Sequence, residues 1–380
     1  MPKKIFSNQA KGFWRFHCEC QIFACEMLSE AIEKLAYIRQ LIAAKNVLVL
    51  SDLGVVETGI IQELCLGEGF NFSLLGAECE HISILAAIEN GRKSNSDLIV
   101  AVGGGSVLDA AKLVAASIPN GLTPDELWEI DGLSKSPIAL IAIPTTFGTG
   151  SECNMTAHLS MDNDKHSLDR EWLTPDYALL VAEIAESVPD RLRYLSALDA
   201  WLHAVEALTL RNEISPVQQG VLKEAIHLLD QYFVSYVSTP DKQNSLAVAS
   251  ASSMAGLALN NSRTGLIHAL ATPFAKFSGL SHAESLLPFI IPSFRYNWQN
   301  ISSFFSENSL EKFEQRINAS YLSGAQNIMD GWSFTIKSND VDAMANACLD
   351  DTVLLKENPM PIESGAYVYL YKIALEQWLV

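Results

Sequence analysis

Three short apolar runs, each bordered by a longer stretch of helical character, constrain what the first half of this chain can become. Asn46–Leu50 (NVLVL), Asp97–Val102 (DLIVAV) and Pro137–Pro144 (PIALIAIP) have strand length. They end at Ser51-Asp52, at Gly103-Gly104-Gly105-Ser106 and at Thr145-Thr146. A helical stretch through Leu66 follows the first run. Ile82–Arg92 reads as a helix before the second, and the Ala-rich Leu108–Ser117 follows it. Strands of about 5–8 residues alternating with helices of ten or more indicate a parallel sheet whose crossovers are the helices.

After Pro189 the pattern changes. Arg191–Thr209, Pro216–Val237 and Ser245–Leu259 have helical lengths and few β-branched runs, and the tail from Leu310 to Val380 stays mostly helical. A chain of 380 residues suits two domains. The expected division is an α/β domain over residues 1–190 and an all-α domain over 191–380. The first 40 residues are the least legible; the aromatic, Cys-rich stretch from Phe13 to Phe23 has room for an early strand.

Composition narrows the partners. With 49% hydrophobic and 18% charged residues, a large core is expected and long disorder is not. No apolar run reaches the roughly 18 residues of a membrane span, and Ser7, Asn8, Gln9 and Lys11 interrupt any signal core after Lys3-Lys4. A cytoplasmic protein is expected. A net charge of −18 argues against a nucleic-acid partner, which needs a basic face. The seven cysteines (18, 20, 25, 65, 79, 153, 348) are scattered, as for reduced thiols. Cys18-x-Cys20 with Cys25 lacks a second ligand pair at zinc-finger spacing.

Two regions carry chemistry. Gly103-Gly104-Gly105-Ser106 sits between a buried strand and a helix, where free N–H groups and close backbone approach suit a phosphate. It matches neither the usual dinucleotide fingerprint nor a Walker loop, and a tight turn with Ser106 as helix N-cap is the plain alternative. Asp52, at the end of the first strand, is a candidate for the ribose hydroxyls of an adenosine or for a helix cap. In the helical half, Asp199 and His203 lie four residues apart on one helix face. His268 and His282 are each flanked by small or apolar residues. An acid and three buried imidazoles suit a borderline divalent ion such as Fe²⁺ or Zn²⁺.

These motifs resemble those of the iron-dependent (group III) alcohol dehydrogenases, over about residues 45–300 and more loosely to the end. The likeness rests on GGGSVLDAAK (Gly103–Lys112), IPTTFGTGSE (Ile143–Glu152), LDAWLHAVEAL (Leu198–Leu208), IHALATP (Ile267–Pro273) and SHAESLLP (Ser281–Pro288), followed by Arg295-Tyr296-Asn297. The resemblance implies a Rossmann-like dinucleotide-binding α/β domain, an all-α metal-binding domain and an active site in the cleft between them. It implies a divalent metal, iron before zinc, on Asp199, His203, His268 and His282. It places the NAD pyrophosphate at Gly104, Gly105 and Ser106, with Asp109 supporting that loop. Thr145, Thr146 and Phe147 would line the cofactor, with Asn154 and Thr156 nearby. Asp52 falls where NAD-preferring members carry an acid. The implied chemistry is hydride transfer between NAD(H) and an alcohol or aldehyde, with the metal as Lewis acid. A homodimer is expected.

The chain departs from the family's pattern in three places. Thr272 stands where a second histidine usually follows the third ligand, which puts the proton route in question and makes Thr272 the candidate to assist it. Ala283 replaces a glycine after the fourth ligand, and Ser167, with Lys165 close by, replaces a lysine near the cofactor ribose. The alternatives are a dehydroquinate-synthase-like lyase and a non-catalytic relative. The lyase would need more Lys and Arg in the helical half than Arg263 and Lys276 supply around the histidines. Arg263, five residues before His268, is also a candidate for an anionic substrate group.

Overall fold

The computed structural model describes residues 19–64, 68–76, 79–161, 164–211, 214–350 and 352–379. Cys18, Cys65 and the aromatic stretch before residue 19 lie outside them. The first half runs β1 (Gln21–Cys25), α1 (Leu28–Leu41), β2 (Val47–Ser51), α2 (Leu53–Glu57), α3 (Ile60–Leu64), β3 (Phe70–Leu74), α4 (His81–Lys93), β4 (Leu98–Gly103), α5 (Gly105–Asn120), β5 (Ala139–Pro144), β6 (Thr156–Met161), β7 (Asp164–Asp169) and β8 (Tyr177–Val181). Six strands form one parallel sheet in the order β1-β8-β5-β4-β2-β3, and β6 and β7 pair as a separate antiparallel hairpin.

The sheet explains why its strands read as unbroken apolar runs. Leu48, Leu50, Ile99, Ala101, Leu140 and Ala142 face α4 and α5, while Val47, Val49, Leu98, Val100, Ile141 and Ile143 face α1 and α3. A parallel sheet covered on both sides has no polar face to alternate with. The three expected strands are β2, β4 and β5. The early strand is β1, and the helix expected through Leu66 is two short helices divided at Gly59, whose φ is +84°.

The second half is helical among the described residues: α6 (Asp190–Thr209), α7 (Pro216–Ser238), α8 (Lys242–Leu259), α9 (Leu266–Ser278), α10 (His282–Leu286), α11 (Ile290–Ile301) and further helices as far as Ala374. Local chemistry sets their starts. Ser215 accepts from the Gln218 N–H with Pro216 in the first turn, and Asp241 closes a capping box with Asn244. Trp201, fully buried on α6, stacks on Tyr321 at 4.3 Å between ring centroids.

The loop after β5 joins the two halves. A Cβ on Gly148 would lie 2.7 Å from the Ser196 carbonyl oxygen on α6. Gly150 has a φ of +61°, and a Cβ there would lie 2.5 Å from Gly256 Cα on α8. Only glycine meets both conditions at once. Gly150→Ala should therefore destabilise the protein by about 2–4 kcal/mol, from left-handed strain plus overpacking. Urea unfolding followed by circular dichroism measures it. A change within about 0.5 kcal/mol would mean that the backbones do not meet this closely.

Candidate active site

The cofactor end follows from the topology. From β2 the chain moves outward to β3, then returns to β4 on the other flank of β2 and continues to β5. Open α/β sheets bind ligands beyond the carboxyl ends of their strands at such a reversal. Ser51 Oγ donates to the Val102 carbonyl at 2.7 Å and holds the two strand ends together. Asp52 leaves β2 there, Gly103–Ser106 leaves β4, and Thr145 and Thr146 leave β5.

Gly104, not Ser106, occupies the N-cap of α5, and Ser106 is exposed in the first turn. The N–H groups of Gly105 and Ser106 thus belong to the donors that a helix start leaves without intrahelical acceptors. A Cβ on Gly105 would meet Thr149 Cγ2 at 2.8 Å, so packing against the GTGSE segment also calls for glycine. Asp52 does cap a helix: its Oδ1 accepts from the Val55 N–H at 3.0 Å. Among the described residues its Oδ2 has no hydrogen-bond partner.

Asp109, Asn154 and Thr156 belong to a polar network beneath this loop, centred on Lys112, for which the sequence motifs suggest no role. Lys112 is fully buried. Its Nζ donates to Ser151 Oγ (2.8 Å), Asn154 Oδ1 (2.8 Å) and the Thr156 carbonyl (2.6 Å). Asp109 accepts from the Ser151 hydroxyl and from His158 through its backbone N–H (3.0 Å), with His158 Nδ1 at 2.9 Å. Burial alone would raise the Asp109 carboxyl, but Lys112 and His158 beside it hold it far below the usual carboxylate range. Burial pushes Lys112 down. The Thr156 hydroxyl donates to Asp169 Oδ1 at 2.6 Å across the hairpin. Lys112 follows Asp109 by three residues on one helix face, and that spacing is the one signal the sequence offers. The Phe147 ring is 1% exposed and packs 6.0 Å from Tyr236 in the helical core.

The four expected metal ligands meet. Their donor atoms all lie within 4.8 Å of one another. Asp199 Oδ1 is the hub: the Nε2 atoms of His268, His203 and His282 lie 3.2, 3.5 and 3.9 Å from it. Donors arranged tetrahedrally at about 2.0–2.1 Å from an ion sit roughly 3.3 Å apart, so the spacing fits one small divalent cation. Asp199 and His203 come from α6, His268 from α9 and His282 from α10. Serine and glutamate set the last of these: Ser281 and Glu284 form a capping box at the start of α10, and Arg191 of α6 pairs with Glu284. His282 thereby becomes the first residue of its helix.

Electrostatics favour the charge pattern of a metal site. Burial works to raise Asp199, but the three imidazoles outweigh it and keep the carboxyl ionised far below its usual range. Burial pushes His203 down, toward the neutral form that ligates metals. Burial also opposes a charge on His268, yet Glu206 and Asp199 beside it bring it up to about 9. The ring of His203 turns Nδ1 to the Gly148 carbonyl at 3.3 Å and Nε2 toward Asp199 Oδ1.

Glu206 has no distinguishing mark in the sequence, although it lies in the same helical motif. Its carboxylate accepts from the Gly265 N–H (2.8 Å) and the Ile267 N–H (2.6 Å), and it faces His268 Nδ1 at 2.5 Å. Thr272 is exposed, and its hydroxyl donates back to the His268 carbonyl at 3.0 Å. Arg263 is exposed in the turn between α8 and α9.

Removing one imidazole leaves too few donors for the ion. His268→Ala and His282→Ala should each lose bound metal and turnover while far-UV circular dichroism stays native. The half-exposed His282 is the milder change for folding. Full activity with unchanged metal content in either variant would refute the four-residue site.

Comparison with known proteins agrees with this geometry. Residues 27–181 match the model of the iron-containing alcohol dehydrogenases, and residues 194–375 match the C-terminal model of the same family. The long-chain-alcohol dehydrogenase 1 of Geobacillus thermodenitrificans is 28% identical over 368 residues, covering 89% of this chain and 92% of its own. A crystal structure of 1,3-propanediol oxidoreductase superposes with a TM-score of 0.82 at 21% identity, over 95% of this chain and 100% of the other. Sulfoacetaldehyde reductase from Bifidobacterium kashiwanohense, solved with NAD⁺, gives a TM-score of 0.80 at 18% identity, over 94% of this chain and 98% of its own. The matched family and the alcohol dehydrogenase relatives favour a dehydrogenase over the lyase. The chain belongs to the iron-containing alcohol dehydrogenase family and is a metal-dependent oxidoreductase of alcohols and aldehydes.

Proposed function

We propose that this protein moves a hydride between NAD(H) and an alcohol or aldehyde, with a divalent ion, iron in the first place, held by Asp199, His203, His268 and His282. The observation that carries this reading is the convergence of three imidazole Nε2 atoms, from three helices, on one carboxylate oxygen. Three neutral imidazoles and one carboxylate leave a divalent ion at a net charge of +1. When bound, the ion supplies Lewis acidity and the nicotinamide supplies or takes the hydride.

The remaining chemistry belongs to the chain. Asp199, His203 and His268 are buried and keep bulk water from three sides, while the His282 side chain is 36% exposed and marks the side by which substrate enters. Residues 1–190 hold the cofactor and residues 191–380 the metal and substrate. Gly104, Gly105 and Ser106 offer backbone N–H groups to the pyrophosphate, and Thr145 and Thr146 border the nicotinamide half. Asp109, Asn154 and Thr156 support that floor through Lys112. The substrate proton leaves to water, with the lone pairs of the Thr272 hydroxyl available to guide it. A homodimer in the cytoplasm completes the reading. The described residues contain no helix long and apolar enough to cross a membrane.

Asp52 caps the helix start through Oδ1, which would leave Oδ2 for the adenosine ribose. Its charge would oppose a 2′-phosphate. The test is a screen of alcohols and aldehydes with NAD(H) and NADP(H), with Fe²⁺ and Zn²⁺ added separately to metal-stripped protein. Wild-type enzyme should prefer NAD(H), and Asp52→Gly should narrow the preference by about tenfold in kcat/KM, or about 1.4 kcal/mol. A tenfold wild-type preference for NADP(H) would remove Asp52 from the ribose.

A further inference from the structure

We infer that Glu206 is the positioning residue of the metal centre: one buried carboxylate fixes which nitrogen of His268 faces the ion and pins the start of the helix that carries that ligand. The inference rests on the metal reading above. Asp199, His203 and Glu206 follow one another by four and three residues on α6, so all three project from one face. The first two reach the metal position, and the third stands behind it.

A buried carboxylate is costly unless its oxygens are satisfied. No lysine or arginine pairs with Glu206 among the described residues. Its partners are instead the Ile267 N–H at Oε1, and the Gly265 N–H and His268 Nδ1 at Oε2. An ionised carboxylate can only accept, so the proton of that ring contact must sit on Nδ1. The opposite nitrogen is then left to face Asp199 Oδ1 at 3.2 Å. His203 is oriented by a neutral carbonyl at a longer 3.3 Å. His268 therefore has a charge-assisted outer bond, which raises its strength as a ligand.

The chain is shaped around this carboxylate. A Cβ on Gly265 would lie 2.9 Å from Glu206 Oε1, so the residue that opens α9 has no side chain where Glu206 is seated. The two backbone bonds at Gly265 and Ile267 satisfy donors that the helix start would otherwise leave open. All of these contacts are made by protein atoms alone.

Glutamine fits the same space but cannot accept from all three donors. Its NH₂ group must face either a backbone N–H or the imidazole. Facing the imidazole, it would drive the ring proton to Nε2, against the ion. Glu206→Gln should therefore bind Zn²⁺ about 10–100-fold more weakly than wild type, the range found for outer partners of metal ligands. The measurement is competition of metal-stripped protein with a chromophoric chelator at fixed pH, with circular dichroism as the check on folding. A second reading needs no variant. In zinc-loaded wild type with ¹⁵N-labelled histidine, one zinc-bound imidazole must carry an Nδ1 proton shifted downfield by a carboxylate acceptor. Where the glutamine variant folds, that proton should move upfield.

A folded Glu206→Gln protein that binds zinc within twofold of wild type overturns the inference. So does a wild-type spectrum with no such Nδ1 proton, whether or not the variant folds. Wild-type protein that takes up no zinc or iron at all would instead sink the metal reading on which the inference stands.

Discussion

The close approach of the Gly148–Gly150 backbone to α6 and α8 is the contact on which the rest of the site depends. Gly150 lies against Gly256 on α8, and Gly148 lies against Ser196 on α6, three residues before the proposed ligand Asp199. The Gly148 carbonyl then meets Nδ1 of the proposed ligand His203. One loop thereby ends a strand of the parallel sheet, packs against the helices and orients one of the proposed metal ligands. A side chain at either glycine would push the sheet and the helices apart, and hydride transfer tolerates little such displacement.

The two halves bury charge in different ways, and the difference suits their tasks. Under the cofactor loop, Lys112 and Asp109 offset each other's charge, and the hydroxyl, amide and carbonyl groups of Ser151, Asn154 and Thr156 complete the network. That assembly is electrically closed and holds α5, the GTGSE segment and the hairpin in one arrangement. At the metal centre, Asp199 and Glu206 bring two negative charges to three imidazoles, with no Lys or Arg paired to either among the described residues. Two carboxylates among neutral imidazoles balance a divalent cation, so this assembly is electrically complete with the ion.

Much of the architecture is legible in the amino-acid sequence. The runs at Asn46–Leu50, Asp97–Val102 and Pro137–Pro144 are strands β2, β4 and β5, because a strand buried on both faces leaves an unbroken apolar signature. The long helices α6, α7 and α8 also match their patterns within a few residues. Strands β3, β6 and β7 have no such signature, whereas β8 (YALLV), buried throughout, carries it as plainly as β2 does. Phe70–Leu74 is half polar, as an edge strand can be, and the β6–β7 hairpin contains His158, Ser160, Lys165 and His166. Ala157, Leu159 and Leu168 anchor the hairpin in the core, but apolar residues interspersed with polar ones over so short a span resemble a loop.

The sequence by itself determined the family, the alternation that makes the sheet, and the four residues proposed to hold the metal, because each is written in local spacing or in a motif. Tertiary structure alone decided what stands behind those residues. Glu206 and Lys112 look like ordinary charges on helices until folding brings Gly265, Ile267 and His268 to the first, and Ser151, Asn154 and Thr156 to the second. Phe147 likewise sits in a motif that reads as cofactor-lining, while its ring is buried against Tyr236. The partners in the two networks lie about 40–60 residues away in sequence. Burial and hydrogen-bond satisfaction are properties of the assembled chain, so no local pattern can announce them.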